Sequence, residues 1–141
     1  MNPIPSFKSA KRTITPAGPD VFIIDDFEYI EEKNTIKVSY RLREANRKHV
    51  EPYRLDVDFQ LNALGDMLRA AFNDDSIEEF DATILNKAIG RQFKGEIVHR
   101  EFNGNKFARI DGFSYKPVNA LYTYARTIGD VIRDDDDEPV A

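Results

Sequence analysis

The chain has no cysteine and no tryptophan, only two histidines and two methionines, and no long apolar run. Without cysteine there are no disulfides, no thiolate metal sites and no thiol nucleophile. A bilayer-crossing helix needs about 20 consecutive apolar residues, which the chain does not offer. The first residues also lack the apolar core of a secretory signal. The expectation is a cytoplasmic protein with no membrane association. His49 and His99 are the only imidazoles, and neither sits at a metal-ligand spacing. There is no glycine-rich phosphate loop. Asp25-Asp26 and the Asp56/Asp58 pair are the conspicuous carboxylates of the body. A spaced pair alone is weak evidence for a cation site, and groove-rim charge accounts for it more simply. These absences predict a protein that is not an enzyme and carries no cofactor or metal.

Of the 141 residues, 41% are hydrophobic, ten of them Phe and six Tyr, which is enough to build the core of one domain. The net charge of −5 is local. Asp134, Asp135, Asp136, Asp137 and Glu138 form one acidic block, and setting it aside leaves 20 acids against 20 Lys and Arg. Such blocks repel themselves and serve as interaction tails. At the other end, residues 1–19 hold four prolines with Lys8, Lys11 and Arg12, and read as a flexible basic arm. The folded domain is then expected over 20–117, a short helix or linker over 118–133, and the acidic tail over 134–141.

Within the domain the apolar period is first two, then near 3.6, then two again. Val21 to Ile30 reads as a strand, and Lys33-Asn34 as a turn. Ile36, Val38, Tyr40 and Leu42 alternate with Lys37, Ser39, Arg41 and Arg43, the pattern of a half-buried strand. After a polar loop at 46–49, Tyr53, Leu55, Val57 and Phe59 alternate with Arg54, Asp56 and Asp58 as a third strand. Leu61, Leu64, Met67, Leu68 and Phe72 then mark one face of a helix, and a weaker helical stretch covers 83–89. From Gly90 the strand period returns. This order predicts an all-β protein with one helix, an OB-fold five-stranded Greek-key barrel with a flexible N-terminal arm and an acidic C-terminal tail.

Asn103-Gly104 is the strongest local signal, because both residues tolerate the positive φ of a type I′ hairpin turn. It pairs Phe102 with Asn105, Arg100 with Phe107 and Val98 with Arg109, and on the other face His99 with Ala108 and Ile97 with Ile110. Ile97, Ala108, Ile110 and His99 are expected inside. Arg100, Phe107 and Arg109 are expected outside, with Phe102 and Lys106 near the tip. Exposed aromatics flanked by arginines suit single-stranded nucleic acid, since bases stack on rings while cations hold phosphates. Lys37, Arg41 and Arg43 form a second basic row, and Tyr29 is a further stacking candidate. Both rows also fit the ordinary solvated side of a sheet.

The stretches DVFIIDDFEYIEEKNTIKVSYRL, DFQLNALGDMLRAAF and GRQFKGEIVHREFNGNKFARIDGF resemble an OB-like family of phage and mobile-element proteins found near replication and recombination genes. The outline of barrel plus acidic tail is also similar to bacterial single-stranded DNA-binding proteins. Their tails close on an apolar Pro-Phe tip, whereas this one closes on Glu138-Pro139-Val140-Ala141. The resemblance implies a protein that coats single-stranded DNA in replication or recombination. The alternative is an adaptor that recruits replication or recombination partners through Asp134–Glu138. Edge strands leave room for a homo-oligomer.

Overall fold

The structure, a computed structural model, describes residues 2–9 and 13–118. The elements follow as β1 (Gly18–Ile30), a 3-10 turn (Glu31–Lys33), β2 (Thr35–Leu42), β3 (Arg47–Arg54), α1 (Asp58–Phe72), α2 (Ala82–Ala88), β4 (Gln92–Phe102), β5 (Asn105–Ile110) and a two-residue β6 (Lys116–Pro117). The protein is thus mostly β, with two helices where the sequence pointed to one good helix and a weaker second stretch. The strands form one antiparallel sheet in the order β3-β2-β1-β4-β5, with β6 against β4.

A β-bulge gives the sheet its bend. The β1–β2 register shifts between Ile24 and Asp26, which leaves Asp25 as an extra residue. An extra residue on one strand increases the local twist. The first part of β1 pairs with β4, from Gly18↔Ile97 to Ile23↔Gln92, while the remainder runs along β2 to Ile30↔Thr35. The concave side closes over Phe22, Ile24, Val38, Tyr40, Leu42, Phe93 and Ile97, all at most 1% exposed. Phe22 and Phe93 stack at 5.1 Å, and Tyr40 meets both edge-on. Each such side chain contributes about 1.5–3 kcal/mol by leaving water. α1 supplies Ala63, Leu64, Met67 and Leu68 to this core and lies against β3, β4 and β6.

Asparagine marks four of the junctions between elements. Among the described residues the non-glycine positions with positive φ are Asn34, Asn46, Asn73 and Asn103. They follow the 3-10 turn, join β2 to β3, cap α1 and start the hairpin turn. The short amide side chain tolerates this left-handed conformation better than most. At Asn73 the helix is capped: its N–H donates to Ala70 and that of Asp74 to Arg69, which satisfies two of the carbonyls in the last turn of α1.

Several expectations are corrected. The sheet is open: among the described residues no backbone ladder joins β3 to β5. The third strand does not run to Phe59. It stops at Arg54, where Gln60 Oε1 accepts from the Arg54 N–H, and Asp58 and Phe59 open α1. Asp56 lies in the intervening turn, so Asp56 and Asp58 share no strand face. The segment 46–49 is not a loop, because Arg47 already begins β3 and His49 is buried. His99 is exposed rather than interior, because the hairpin has by then left the core. Its Nε2–H donates to the Thr15 carbonyl at 2.8 Å. Within the span 1–19, Thr15 is buried and β1 already starts at Gly18.

Candidate functional site

The edges of β3 and β5 face one another across the opening, and a single carboxylate spans it. Glu51, on β3, is 3% exposed. Its Oε2 accepts from Arg109 Nε at 3.0 Å and from the Ile110 backbone N–H at 3.1 Å, while Oε1 accepts from His49 Nε2 at 2.7 Å. A buried carboxylate is tolerated only when paired and hydrogen-bonded, and here three donors from two strands meet that condition. Beneath it runs a chain of phenols, Tyr40 to Tyr53 at 2.8 Å and Tyr53 to Tyr115 at 2.7 Å. Burial pushes all three tyrosines well above the ordinary phenol range. Tyr115 adds to the rise at Tyr40, where the Tyr53 hydrogen bond works against it. Both neighbouring phenols add to it at Tyr53, and Glu51 adds to it for all three.

Above this floor lies a cleft of ≈ 320 Å³, lined by Glu51, Pro52 and Tyr53 of β3, by Phe59, Gln60 and Ala63 of α1, by the hairpin, and by Gly112 and Tyr115. Four of the expected site residues meet here: Arg100, Phe102, Phe107 and Arg109. The hairpin has the register read from Asn103-Gly104, with φ of 51° and 79° at the turn. Arg109 lies 5.9 Å over the Phe107 ring besides reaching Glu51. None of the five ion pairs among the described residues involves Arg100.

The other expected residues lie elsewhere. Lys106 stands opposite Glu101, so alternation puts it on the hairpin face away from Arg100 and Phe107, and it does not line the cleft. Lys37 is half-buried between Glu28 of β1 and Pro52 of β3. Arg41 pairs with Asp25 at 2.9 Å. Arg43 lies in the turn after β2 and donates to Gln92 at 3.1 Å. Tyr29 is exposed near the far end of β1, with its hydroxyl 3.4 Å from Asn34 Oδ1. The acidic block Asp134–Glu138 and the segment before it fall outside the described residues.

One ring of the cleft and one packed behind it were missed in the sequence. Phe59, 54% exposed, was read as the end of a strand, and Phe113, 82% exposed, carried no periodic signal. They pack against each other at 5.6 Å. Gly112 makes room for this pair, since a Cβ there would stand 2.7 Å from the Phe59 ring. Among the described residues no group of three or more potential metal ligands occurs, and no helix is long and apolar enough to cross a membrane. Compared with known protein families and with curated proteins, the chain matches none.

Proposed function

We propose that the chain binds single-stranded DNA, without chemistry, along the cleft between β3 and the β4–β5 hairpin. The observation that carries this reading is the lining of the cleft, where Phe59, with Phe113 packed on it, and Phe107 surround a floor held by Glu51, and Arg100 is in no ion pair among the described residues. Rings offer stacking surfaces to any base, worth about 1–3 kcal/mol each. Arg100 supplies the phosphate contact, while Arg109 is already engaged by Glu51. Stacking therefore outweighs charge in this site, in keeping with a body that is not basic overall.

The same reading includes an OB-like half-barrel. Its support is the strand order, with the helix between β3 and β4, and the Glu51 link standing where the closing ladder of a barrel would run. A setting in phage or mobile-element replication or recombination belongs to the proposal too, and rests on the resemblance alone. The test is fluorescence anisotropy of a labelled oligo-dT against a duplex of equal length at two salt concentrations. The single strand is expected to bind preferentially, with a shallow log–log salt slope of about −0.7 for the one phosphate that Arg100 neutralises. Equal binding of duplex, or none of either, refutes the reading.

A further inference from the structure

The hairpin runs on beyond the rest of the sheet. β4 parts from β1 after the pair Gly18↔Ile97, and the His99 ring meets Thr15 just beyond. From Arg100 to Lys106 every residue is exposed, on both faces. The last four steps of β4 carry the chain about 14 Å from Val98 to Phe102 at the usual strand rise. Phe102 stands next to the turn at the end of this arm, 68% exposed, on the same strand face as Arg100.

An unsupported two-stranded arm is ordinarily soft, but the base of this one is anchored. Arg109 and the Ile110 N–H are held by Glu51, the His99 ring holds the Thr15 carbonyl, and the Asp111 N–H donates to Glu96 at 2.8 Å. The turn is the tight type favoured by Asn-Gly. The result is an arm anchored at its base, with an apolar ring at its end and cations behind it, leading into the aromatic cleft. Apolar side chains presented in this way enter base steps and unstack them.

We propose that the hairpin acts as a wedge at the junction between single-stranded and duplex DNA. Phe102 would stack on the terminal base pair or displace it, Arg100 and Lys106 would hold the flanking phosphates, and the freed strand would pass into the cleft. This rests on the single-strand reading above and adds a junction preference that the cleft by itself does not supply.

The experiment compares three probes on the full chain: oligo-dT, a blunt duplex, and a duplex with a single-stranded tail carrying 2-aminopurine in its first base pair. The tailed duplex is expected to bind about tenfold more tightly than its tail alone, the effect of one added stacking contact. The 2-aminopurine emission rises as that pair opens. Phe102→Ala brings tailed duplex and tail to parity and abolishes the emission change, while Phe102→Trp restores both. Circular dichroism confirms that each variant is folded. Binding of oligo-dT with no junction preference overturns the wedge and leaves the single-strand reading standing, whereas no binding to any probe overturns both. A Phe102→Ala protein that keeps its junction preference also overturns the wedge.

Discussion

β2 and the β4–β5 hairpin both carry alternating basic residues, yet their charges live in different surroundings. β2 is flanked on both sides, by β1 and β3, so each outward cation has cross-strand neighbours. Lys37 faces Glu28, and Arg41 is bonded to Asp25 on the bulge. On the hairpin, β5 pairs among the described residues with β4 alone, and Arg100 faces Phe107 rather than an acid. Arg41 on β2 and Arg109 on the hairpin are both held by carboxylates, whereas Arg100, in no ion pair among the described residues, stays available to a ligand. The carboxylates differ in the same way. Asp25 forms a surface pair on the bulge of β1, while Glu51 is buried and joins two strands that share no ladder.

The largest expected effect concerns the floor of the cleft. The phenols of Tyr40, Tyr53 and Tyr115 titrate well above the value of 10 that they have in the unfolded chain. Below pH 10 both states keep the protons and the tyrosines leave stability unchanged. Above it the unfolded chain releases them first, so stability falls by about 1.4 kcal/mol per pH unit for each phenol. Urea denaturation between pH 9 and pH 11.5 should show this loss, and Tyr53→Phe should make it shallower. A flat profile would contradict a buried seam.

Next is the contrast between the carboxylates. Glu51→Ala strands the Ile110 N–H and breaks a buried pair, and is expected to cost about 3 kcal/mol. Asp25→Ala removes an exposed pair and should change stability by less than about 0.5 kcal/mol. Urea midpoints measure both, and similar values would erase the distinction between surface pair and seam. The smallest contrast is in binding. Arg100→Ala with Phe107→Ala should weaken oligo-dT binding by about 2 kcal/mol, near thirtyfold. Lys37→Ala with Arg41→Ala should change it less than about threefold, since charges away from the ligand act only through a screened field. Equal losses would place the ligand on β2 instead.

The same contrast explains what could be read from the residues. β2 and the hairpin were legible because a strong alternation, or a turn needing positive φ, leaves one register that sorts the faces. β3 was obscured because its inward positions are His49, Glu51 and Tyr53, while Val50 points outward and is 47% exposed. A seam closed by polar side chains inverts the hydrophobic pattern that marks a strand. The start of α1 was hidden for another reason: Val57 occupies the N-cap without a side-chain hydrogen bond. With no capping residue there, the alternation from Tyr53 ran on unbroken into Phe59. The cleft was therefore half visible, its hairpin wall legible and its α1 wall not. Lys37, Arg41 and Arg43 looked equivalent to the hairpin residues because a single strand's pattern says nothing about which strands lie beside it.

The Asn103-Gly104 turn also makes the arm a ruler with a fixed step. A two-residue turn holds Phe102 opposite Asn105 whatever lies behind it. Lengthening both strands by one residue turns the side chain before the Asn to the opposite face of the arm. Lengthening both by two restores the original face and extends the reach by about 7 Å. An insertion in one strand alone forces a bulge. Relatives built on the same plan can therefore differ in arm length by whole pairs of residues per strand and keep an aromatic aimed in the same direction, while intermediate lengths present another surface.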